Sequence, residues 1–462
     1  MKNKIIYAIG WVLLLIVSGC SDWLSVSPRT EKPTEQLFET QNGFRDALTG
    51  AYIEMMSDKS YGEYLTMSKI EYLVDFWDPE KGSGEEALTL HRYSDAQAVT
   101  MIDALYEQQY KVILAVNAIL EYVDLRQAIF DPGAYEAVKG ECLALRAMCH
   151  LDILRLFGPV PAEATSVPIL PYVETVTKEL HRHVNFDGYK ARLIADLENA
   201  EGLLKQHLEK QSEIEEDYFK YRTIRMNYYA VKALKARVYL WADNKAEAYR
   251  EAKAVTAVQE QWFPWTERRE IMDNTRNPDR IFSSELLFAA YYNAREEIFT
   301  NYFSPTLEPA QVYSPKKHID DLFTWDLLDW RNRPIWLEGT TRDYRCFHKY
   351  EDVSSTEVWT KLIPLIRMTE MYYIIAETAT EALDALNTVL FNRGVKELED
   401  KTQLAGMLRD EYRREFFGEG QLFFYYKRLN VKVLHSYSEN ADLDMDAAKY
   451  VVPLPLSETD FR

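Results

Sequence analysis

A chain of 462 residues, 47% of them hydrophobic and 27% charged, can bury a large core, and this composition excludes both a disordered chain and an integral membrane protein. The 73 acidic and 54 basic side chains give a formal net charge of -19 at pH 7. Because this charge repels phosphate backbones, it argues against a nucleic-acid partner. We expect one large domain or two closely joined domains.

The first predicted element is an export signal. Lys2 and Lys4 precede an apolar stretch over residues 5–17, which is shorter than the roughly 20 residues that cross a bilayer as a helix. The letters VSGC, which end at Cys20, resemble a bacterial lipobox, in which small residues precede a cysteine that is lipidated on its thiol. The alternative is an ordinary signal peptide followed by an incidental cysteine. No later run of about 18 apolar residues predicts a membrane span.

These features divide the chain into three parts. We predict a lipoprotein signal peptide over residues 1–19, a lipidated leader over 20–40 and a folded domain over 41–462. Acyl chains on Cys20 supply more than the two signals that stable anchoring needs, so the mature protein would be held on a membrane without spanning it.

Helices in pairs are predicted along much of the remaining chain. Residues 140–157 carry apolar side chains at helical spacing and are followed by a Gly-Pro pair. A second unit over 226–255 predicts two helices joined by a turn at Asp243, and a third unit covers 365–395. Small alanines allow helices to approach closely, and units of about 34 residues are typical of tetratricopeptide repeats. We predict a mainly α fold, a tetratricopeptide-like superhelix of helix pairs.

Long segments with weak periodicity separate these units. Residues 58–100, 159–185 and 259–364 are rich in Trp, Tyr, Pro, Asn and Asp and contain frequent helix breakers. They are longer than ordinary connections, and loops of this length in a compact protein are usually functional or packed against the scaffold. We predict that they are loop insertions and that the region around 259–364 binds ligand.

Six motifs occur in a fixed order along the chain. A motif of the type GF-x-x-A-L-x-G-x-Y begins at Gly43, after the lipobox cysteine, and it is followed by GECLALRAMCHLDILRLFGPVP, ALKARVYLW, SELLFAAYYN, RMTEMYYIIAETA and VVPLPLSETDF. This order resembles the SusD/RagB family, surface lipoproteins of glycan- and nutrient-uptake systems, over essentially the whole chain. One departure is the shifted spacing between Asn387 and Arg393, where the family pattern has N-x-x-R.

The resemblance implies a function. A SusD-like protein captures an oligosaccharide and delivers it to a TonB-dependent, SusC-like transporter, over which it closes as a lid. The implied location is the outer membrane, with the protein lipid-anchored and exposed at the cell surface. Capture of a peptide or glycopeptide in the same role is an alternative, as is a helical-repeat scaffold that docks only proteins.

Two loop stretches combine tryptophans with planar polar groups. A sugar presents apolar C–H faces and a hydroxyl rim, so its receptor needs a flat ring beside hydrogen-bonding groups. The first stretch holds Trp77, where the family resemblance implies a ligand-stacking tryptophan, beside Asp75 and Asp78. The second stretch contributes Trp325, Trp330, Arg331, Asn332 and Trp336.

Burial in the core is the alternative for the tryptophans of both stretches. In the second stretch, the letters DWR resemble an element that recurs in the family for structural reasons.

A glycan-processing enzyme is the alternative from a different class. Glycoside hydrolysis needs two carboxylates roughly 5 to 10 Å apart. Acidic residues are so abundant here that some pair must lie this close, so such a pair does not indicate an active site. Glu370 and Glu377 share a helix face, yet pairing with Arg367 or solvent accounts for them better. His181 and His183 lack zinc-ligand spacing, and the sequence contains no nucleophile elbow. We predict a binding protein with no enzymatic activity, no cofactor and no metal.

Overall fold

The computed structural model describes most of the predicted domain. The predicted signal peptide and Cys20 lie outside the described residues, and so does Trp325. Within the described part of the chain, no helix is both long and apolar enough to cross a membrane. The described residues are 34–207, 222–308, 318–323, 328–339, 342, 344–436 and 441–460.

Helices dominate the described residues, so the predicted mainly α fold is confirmed. Short helical turns lie between the longer helices. The α-helices of eight residues or more in the described ranges are α1 (Gln41–Met55), α2 (Ala96–Val123), α3 (Ala134–Phe157), α4 (Phe186–Leu204), α5 (Tyr228–Trp241), α6 (Lys245–Thr256), α7 (Met368–Thr378), α8 (Ala382–Phe391), α9 (Leu404–Glu415) and α10 (Leu422–Leu429).

These helices pack in chain order into a continuous array. α1 packs on α2, α2 on α3, and the succession continues through α8. α3 contains the predicted helix over 140–157 and has helices on both sides, so nearly all of its residues are buried. Its sequence therefore shows apolar side chains on every face, as expected for a central helix.

The predicted turn between α5 and α6 is confirmed at residues 242–244. Asp243 adopts a positive φ of 55°, and the side chain of Asn244 accepts a hydrogen bond from the backbone N–H of Glu247 at 3.4 Å. On α6, Ala248 and Ala252 are fully buried. Because these side chains are small, the α6 backbone can approach both α5 and α7 closely.

Polar side chains begin several of the long helices. Each accepts a hydrogen bond from a backbone N–H in the first turn, which satisfies a group that has no partner within the helix. A cap of this kind stabilises a helix by about 1 kcal/mol. The capping residues and their donors include Thr40 with Gly43 (3.1 Å), Asp95 with Gln97 (2.9 Å), Asn185 with Gly188 (2.9 Å) and Asn227 with Tyr229 (3.0 Å).

Short strands occupy the connections between helices. In the described residues they form antiparallel pairs, β1 with β2, β3 with β6, β4 with β5, and β7 with β8. Their bounds are β1 (Leu170–Pro171), β2 (His183–Val184), β3 (Leu286–Tyr291), β4 (Trp336–Glu338), β5 (Arg345–Phe347), β6 (Leu362–Arg367), β7 (Val433–Ser436) and β8 (Ala441–Asp444).

The largest insertion separates α6 from α7, although these two helices pack directly on each other. Pairing of β3 with β6 joins an early part of the insertion to its end, and the backbone N–H of Tyr292 donates to the carbonyl of Lys361 at 2.8 Å. The residues that follow β3 are therefore fixed beside the helix array. The described parts of the long aromatic-rich segment are folded onto the scaffold, as its composition indicates.

Candidate functional site

Trp77 lies in the protein core. Its side chain is 0% exposed, and its indole N–H donates a 2.8 Å hydrogen bond to the carbonyl of Met67. Its ring centroid lies 5.5 Å from that of Phe303 and 5.5 Å from that of Phe347. An enclosed indole presents no face to a ligand in this conformation. The structure therefore gives Trp77 a packing role where the sequence predicted a stacking role.

Trp336, from the second predicted stretch, belongs to the same aromatic cluster. It is 1% exposed on β4, with its ring centroid 6.4 Å from Trp77 and 4.9 Å from Phe417. The two predicted tryptophan stretches are thus brought together, but inside the molecule. The reason is physical, since large aromatic surfaces gain most free energy when they are removed from water.

Arg331 and Asn332 are also interior residues. The guanidinium of Arg331 donates to Asp329 at 2.7 Å, to Glu411 at 2.8 Å and to Glu415 at 2.9 Å. The side-chain oxygen of Asn332 accepts from Arg345. The Arg331 contacts attach the segment before β4 to α9, and the Asn332 contact attaches it to β5. Both polar groups therefore serve the fold, and neither faces a ligand in this conformation.

The remaining predicted residues are dispersed. Trp330 is half-buried beside Gly394, where an added Cβ would lie 2.4 Å from the indole nitrogen and where φ is +71°. Asp75 is buried and lines a polar cavity of about 310 Å³ with Arg409. Asp78 is half-buried. None of the predicted residues that the structure describes lines the cleft that follows.

A cleft of about 900 Å³ opens between the end of α1 and the segment that follows β3. We call it the tyrosine cleft. Aromatic rings and planar polar groups meet in it, which is the combination that suits a saccharide. Its tyrosines are Tyr52, Tyr291, Tyr292 and Tyr302, and its polar lining includes Asp58, Glu63, Arg225, Asn293, Glu297 and Asn301.

Hydrogen bonds hold Tyr52 on the α1 side of the tyrosine cleft. Its hydroxyl donates to Glu141 at 2.8 Å and accepts from the backbone N–H of Met226 at 2.8 Å. The guanidinium of Arg225 lies 5.5 Å from the Tyr52 ring centroid, and its Nη1 lies 3.4 Å from Glu141. Burial, together with the Glu141 charge, raises the pKa of Tyr52 well above its ordinary value, so the hydroxyl stays protonated.

Tyr302 connects the opposite wall to the loop after α1. Its hydroxyl donates to Oε2 of Glu63 at 3.0 Å, while Oε1 of Glu63 accepts from the hydroxyl of Ser68 at 2.7 Å. Burial and the Glu63 charge raise the pKa of Tyr302, which keeps its hydroxyl a donor. The next residue, Phe303, packs on Trp77, so the aromatic cluster supports this wall from behind.

Buried Arg295 anchors the wall that carries Tyr291 and Tyr292. Its Nη1 donates to the carbonyls of Trp359 at 2.9 Å and Leu362 at 3.3 Å. Tyr291 ends β3 and is 45% exposed at the rim of the tyrosine cleft. An exposed ring on a fixed backbone suits stacking, because little conformational entropy is lost when a ligand binds.

Sequence reasoning missed this cleft, although one signal was available. The letters YYN end the motif SELLFAAYYN, which lies in the segment 259–364 predicted to bind ligand, and the structure places Tyr291 at the end of β3. Gly62 marks the facing loop, because an added Cβ there would lie 2.4 Å from the carbonyl oxygen of Met56. Nothing local, however, indicates that the two segments meet.

The carboxylates tested as catalytic candidates serve structural roles. Glu370 accepts from Nε of Arg237 at 2.7 Å, and Glu377 accepts from Arg428 at 2.7 Å, so the expected partner Arg367 is replaced in both cases. His183 lies 2.8 Å from Glu458. Over the described ranges, no group of three or more His, Cys, Asp or Glu side chains is placed to hold a metal ion.

Comparison with known proteins shows which family this helical scaffold belongs to. A family profile described as "Starch-binding associating with outer membrane" matches residues 22–240, and the SusD family profile matches residues 335–453. The chain belongs to the SusD family. The SusD-like protein P2 of Formosa agariphila is 26% identical over 191 residues, which are 41% of this chain and 36% of that relative. The match thus spans about a third of the relative's length.

Solved SusD structures share the fold. A SusD superfamily protein from Bacteroides thetaiotaomicron VPI-5482 aligns with a TM-score of 0.75 and 19% identity over 91% of this chain and 98% of that one. A SusD-like carbohydrate binding protein from Bacteroides vulgatus ATCC 8482 aligns with a TM-score of 0.71 and 17% identity over 91% and 96% of the two chains. In this SusD-family chain, the Tyr291 wall of the tyrosine cleft lies between the two stretches that match the family profiles.

Proposed function

We propose that this protein captures glycans in the tyrosine cleft at the outer membrane and delivers them to a SusC-like, TonB-dependent transporter. The observation that carries the proposal is the exposed ring of Tyr291 at a rim that also presents Asn293 and Asn301. Support comes from the family, since one matching profile is described as starch-binding and a protein of similar structure as carbohydrate binding.

The chemistry of the cleft fits a saccharide. The C–H face of a pyranose ring packs on a tyrosine ring, and its hydroxyls exchange hydrogen bonds with amides and carboxylates. Tyr291 offers the ring, and the exposed amides of Asn293 and Asn301 offer both donors and acceptors. A solvent-open site with few enclosed polar contacts predicts dissociation constants from micromolar to millimolar, roughly 4 to 8 kcal/mol.

The direct test is equilibrium binding by the purified full-length protein. We expect saturable binding of at least one neutral oligosaccharide from a panel derived from starch, laminarin, xylan and mannan. Tyr291→Ala should weaken this binding several-fold or abolish it. Phe391→Ala removes a ring that is 67% exposed at the end of α8 and does not line the cleft, so it should bind as wild type does. If Tyr291→Ala binds the oligosaccharide as tightly as Phe391→Ala does, the tyrosine cleft is not the binding site.

Capture without chemistry is part of the proposal. A bound glycan should be recovered intact, since the matching family profile and the similar structure are described by binding and not by catalysis. Glu370 and Glu377, the carboxylates considered as catalytic candidates, are engaged in ion pairs with Arg237 and Arg428. Chromatography of the glycan after long incubation should show no new reducing ends. New reducing ends would favour the enzyme, and saturable binding of a peptide library with no glycan binding would favour peptide capture.

Membrane attachment is proposed to depend on Cys20. Because lipidation requires the thiol, Cys20→Ala should move the protein from the outer-membrane fraction to a soluble one while its thermal unfolding is unchanged. The fractionation should be done in cells that lack the SusC-like partner, so that docking does not retain the protein. Cys142→Ala removes a buried helical thiol and is the matched control for loss of a cysteine. Membrane retention of the Cys20 variant would contradict lipid anchoring.

A further inference from the structure

We propose that the tyrosine cleft excludes acidic glycans and selects neutral or amino-bearing ones, with Asp58, Glu63 and Glu297 as specificity-determining residues. The inference rests on the proposed function, glycan capture in this cleft, and names the class of saccharide that the cleft accepts. It is carried by the sign and placement of the charges on the two walls.

Carboxylates line both walls of the tyrosine cleft. Asp58 and Glu63 lie in the loop after α1, and Glu297 lies in the segment after β3. Asp58 and Glu297 are exposed, whereas Glu63 is 6% exposed and hydrogen-bonded to Tyr302. A bound saccharide would therefore lie between negative charges on opposite sides.

Two cations oppose these three carboxylates, Arg225 on the wall of the cleft and Lys69, whose Nζ lies 3.7 Å from Oε1 of Glu63 and 2.9 Å from Oε1 of Glu85. Arg225 is the basic side chain among the described residues that line the cleft, and its Nη1 lies 3.4 Å from Glu141. Glu141 also accepts from Arg222 at 2.9 Å, so this group of three keeps a positive charge beside Tyr52. Lys69 is shared between Glu63 and Glu85, so the excess negative charge rests on Asp58 and Glu297, whose sum exceeds the charge of the Arg225 group. The chain as a whole carries a formal net charge of -19.

The carboxylates act on one shared point in the cleft. Burial raises the pKa of Tyr292, and Asp58, Glu297 and Glu63 raise it further. Because these charges come from both walls, the hydroxyl of Tyr292 lies in a negative potential. An acidic group of a ligand near this position would meet the same negative potential that disfavours ionisation of the Tyr292 hydroxyl.

The negative lining continues beyond the cleft. An adjoining cavity of about 640 Å³ shares Glu297 and Asn301 with the tyrosine cleft and adds Asp352 to its lining. Its other carboxylates are paired, Glu296 with Lys361 at 2.8 Å and Glu351 with Arg280 at 2.7 Å. In the part of the chain that the structure describes, no basic side chain lies within ion-pair distance of Glu297 or Asp352.

This arrangement distinguishes ligands by charge. A uronate or sulfate in the cleft would face like charges with little compensation, and like-charge contacts at a partly desolvated surface are unfavourable. A neutral hydroxyl avoids that repulsion, and the ammonium group of an amino sugar gains attraction. Because the effect is electrostatic, added salt should weaken it.

The test compares chemically matched ligands. A neutral oligosaccharide that binds is oxidised at its primary hydroxyls to carboxylates, or converted at the same positions to amines, and all three forms are titrated into the full-length protein. We expect the acidic form to bind several-fold more weakly than the neutral parent, and the amine form at least as tightly. Higher ionic strength should reduce both differences.

Paired variants assign the selection to residues. In Asp58→Asn/Glu297→Gln, the ratio of neutral to acidic affinity should fall several-fold. The control Asp187→Asn/Glu198→Gln removes two exposed charges on α4 that do not line the cleft, and should keep the wild-type ratio. An unchanged ratio in the first variant would overturn the assignment of selectivity to these carboxylates.

Failure of the inference and failure of the proposed function give different results. If the acidic form binds as tightly as its neutral parent and Tyr291→Ala abolishes both, the charge selection is overturned while glycan capture stands. If no glycan of any charge binds, glycan capture and the selection that rests on it are both overturned.

Discussion

The hydroxyl of Tyr302 donates a 3.0 Å hydrogen bond to Oε2 of Glu63, across a sequence separation of 239 residues. This contact joins the two walls of the tyrosine cleft. It also orders the Glu63 carboxylate, whose other oxygen accepts from Ser68. The shape and the charge of the cleft therefore depend on the same pair.

Tyr302→Phe should weaken glycan binding more than it weakens the fold. The change removes one hydrogen bond to a charged acceptor, which costs about 1 to 3 kcal/mol of stability, while Ser68 still satisfies part of Glu63. Titration calorimetry and urea unfolding measure the two effects. Tyr135→Phe, which breaks the 2.7 Å bond to Asp124 away from the cleft, is the matched control and should bind normally. Normal binding by Tyr302→Phe would show that the wall does not need this contact.

Trp77→Ala should lower the free energy of unfolding by about 3 to 5 kcal/mol, because it leaves a cavity at a fully buried position in the aromatic cluster. Urea unfolding measures the loss, and glycan affinity should fall through displacement of Phe303 and its neighbour Tyr302. Phe391→Ala, at an exposed ring, should change stability by less than about 0.5 kcal/mol. If Trp77→Ala were as stable as wild type but lost binding, Trp77 would contact ligand in another conformation.

Arg331→Met should cost about 3 to 5 kcal/mol of stability. The substitution leaves the Asp329, Glu411 and Glu415 carboxylates buried near one another with less compensating charge. Denaturant unfolding at pH 7 is the measurement. Arg192→Met removes an Arg–Glu pair with Glu174 that is largely solvent-exposed, and it should cost about 1 kcal/mol or less. Equal costs for the two variants would contradict the buried-network interpretation.

His91→Asn should make stability less sensitive to mild acid. Burial, with Lys449 nearby, lowers the pKa of His91 from 6.5 to about 4. The unfolded chain therefore takes up a proton first, and the stability that the neutral imidazole contributes above pH 6.5 is lost as the pH falls toward 4. Between pH 6.5 and 5, wild type should lose about 2 kcal/mol relative to the variant. Asparagine is chosen because it tolerates the positive φ of 53° at this position.

The pH measurement must compare wild type with variant, because a buried acid acts in the opposite direction. Burial raises the pKa of Asp279 to about 6, so its contribution improves as the pH falls through that value. This term is common to both proteins and cancels in the difference. Parallel curves for wild type and His91→Asn between pH 6.5 and 5 would show that His91 titrates normally in the folded state.

The helical scaffold could be predicted from the sequence. The apolar pattern over 140–157 and the turn at Asp243 are local features, because helix periodicity and turn geometry involve residues a few positions apart. The order of the family motifs extended this prediction to the whole superhelix. The packing of α6 on α7 could not be read in the same way, because a long insertion separates the two helices.

The candidate binding residues could not be predicted from the sequence, because composition indicates that a loop is rich in aromatic residues but not which ring is exposed to solvent. Trp77 and Tyr291 both lie in aromatic-rich stretches, yet Trp77 is enclosed by Phe303 and Phe347, which lie more than two hundred positions away in the chain. A charged Arg331 within a predicted loop likewise becomes an interior residue through two carboxylates of α9.

By itself, the sequence determined the mainly α scaffold and the family, because each depends on short-range spacing or on motif order, and it predicts the export signal. Only the tertiary structure decided that Trp77 and Trp336 pack inside and that Tyr291 and Tyr302 face a cleft lined by Glu63. The physical reason is that burial and site geometry are set by contacts between distant segments, and the free energy of those contacts is determined by the whole fold and not by local sequence.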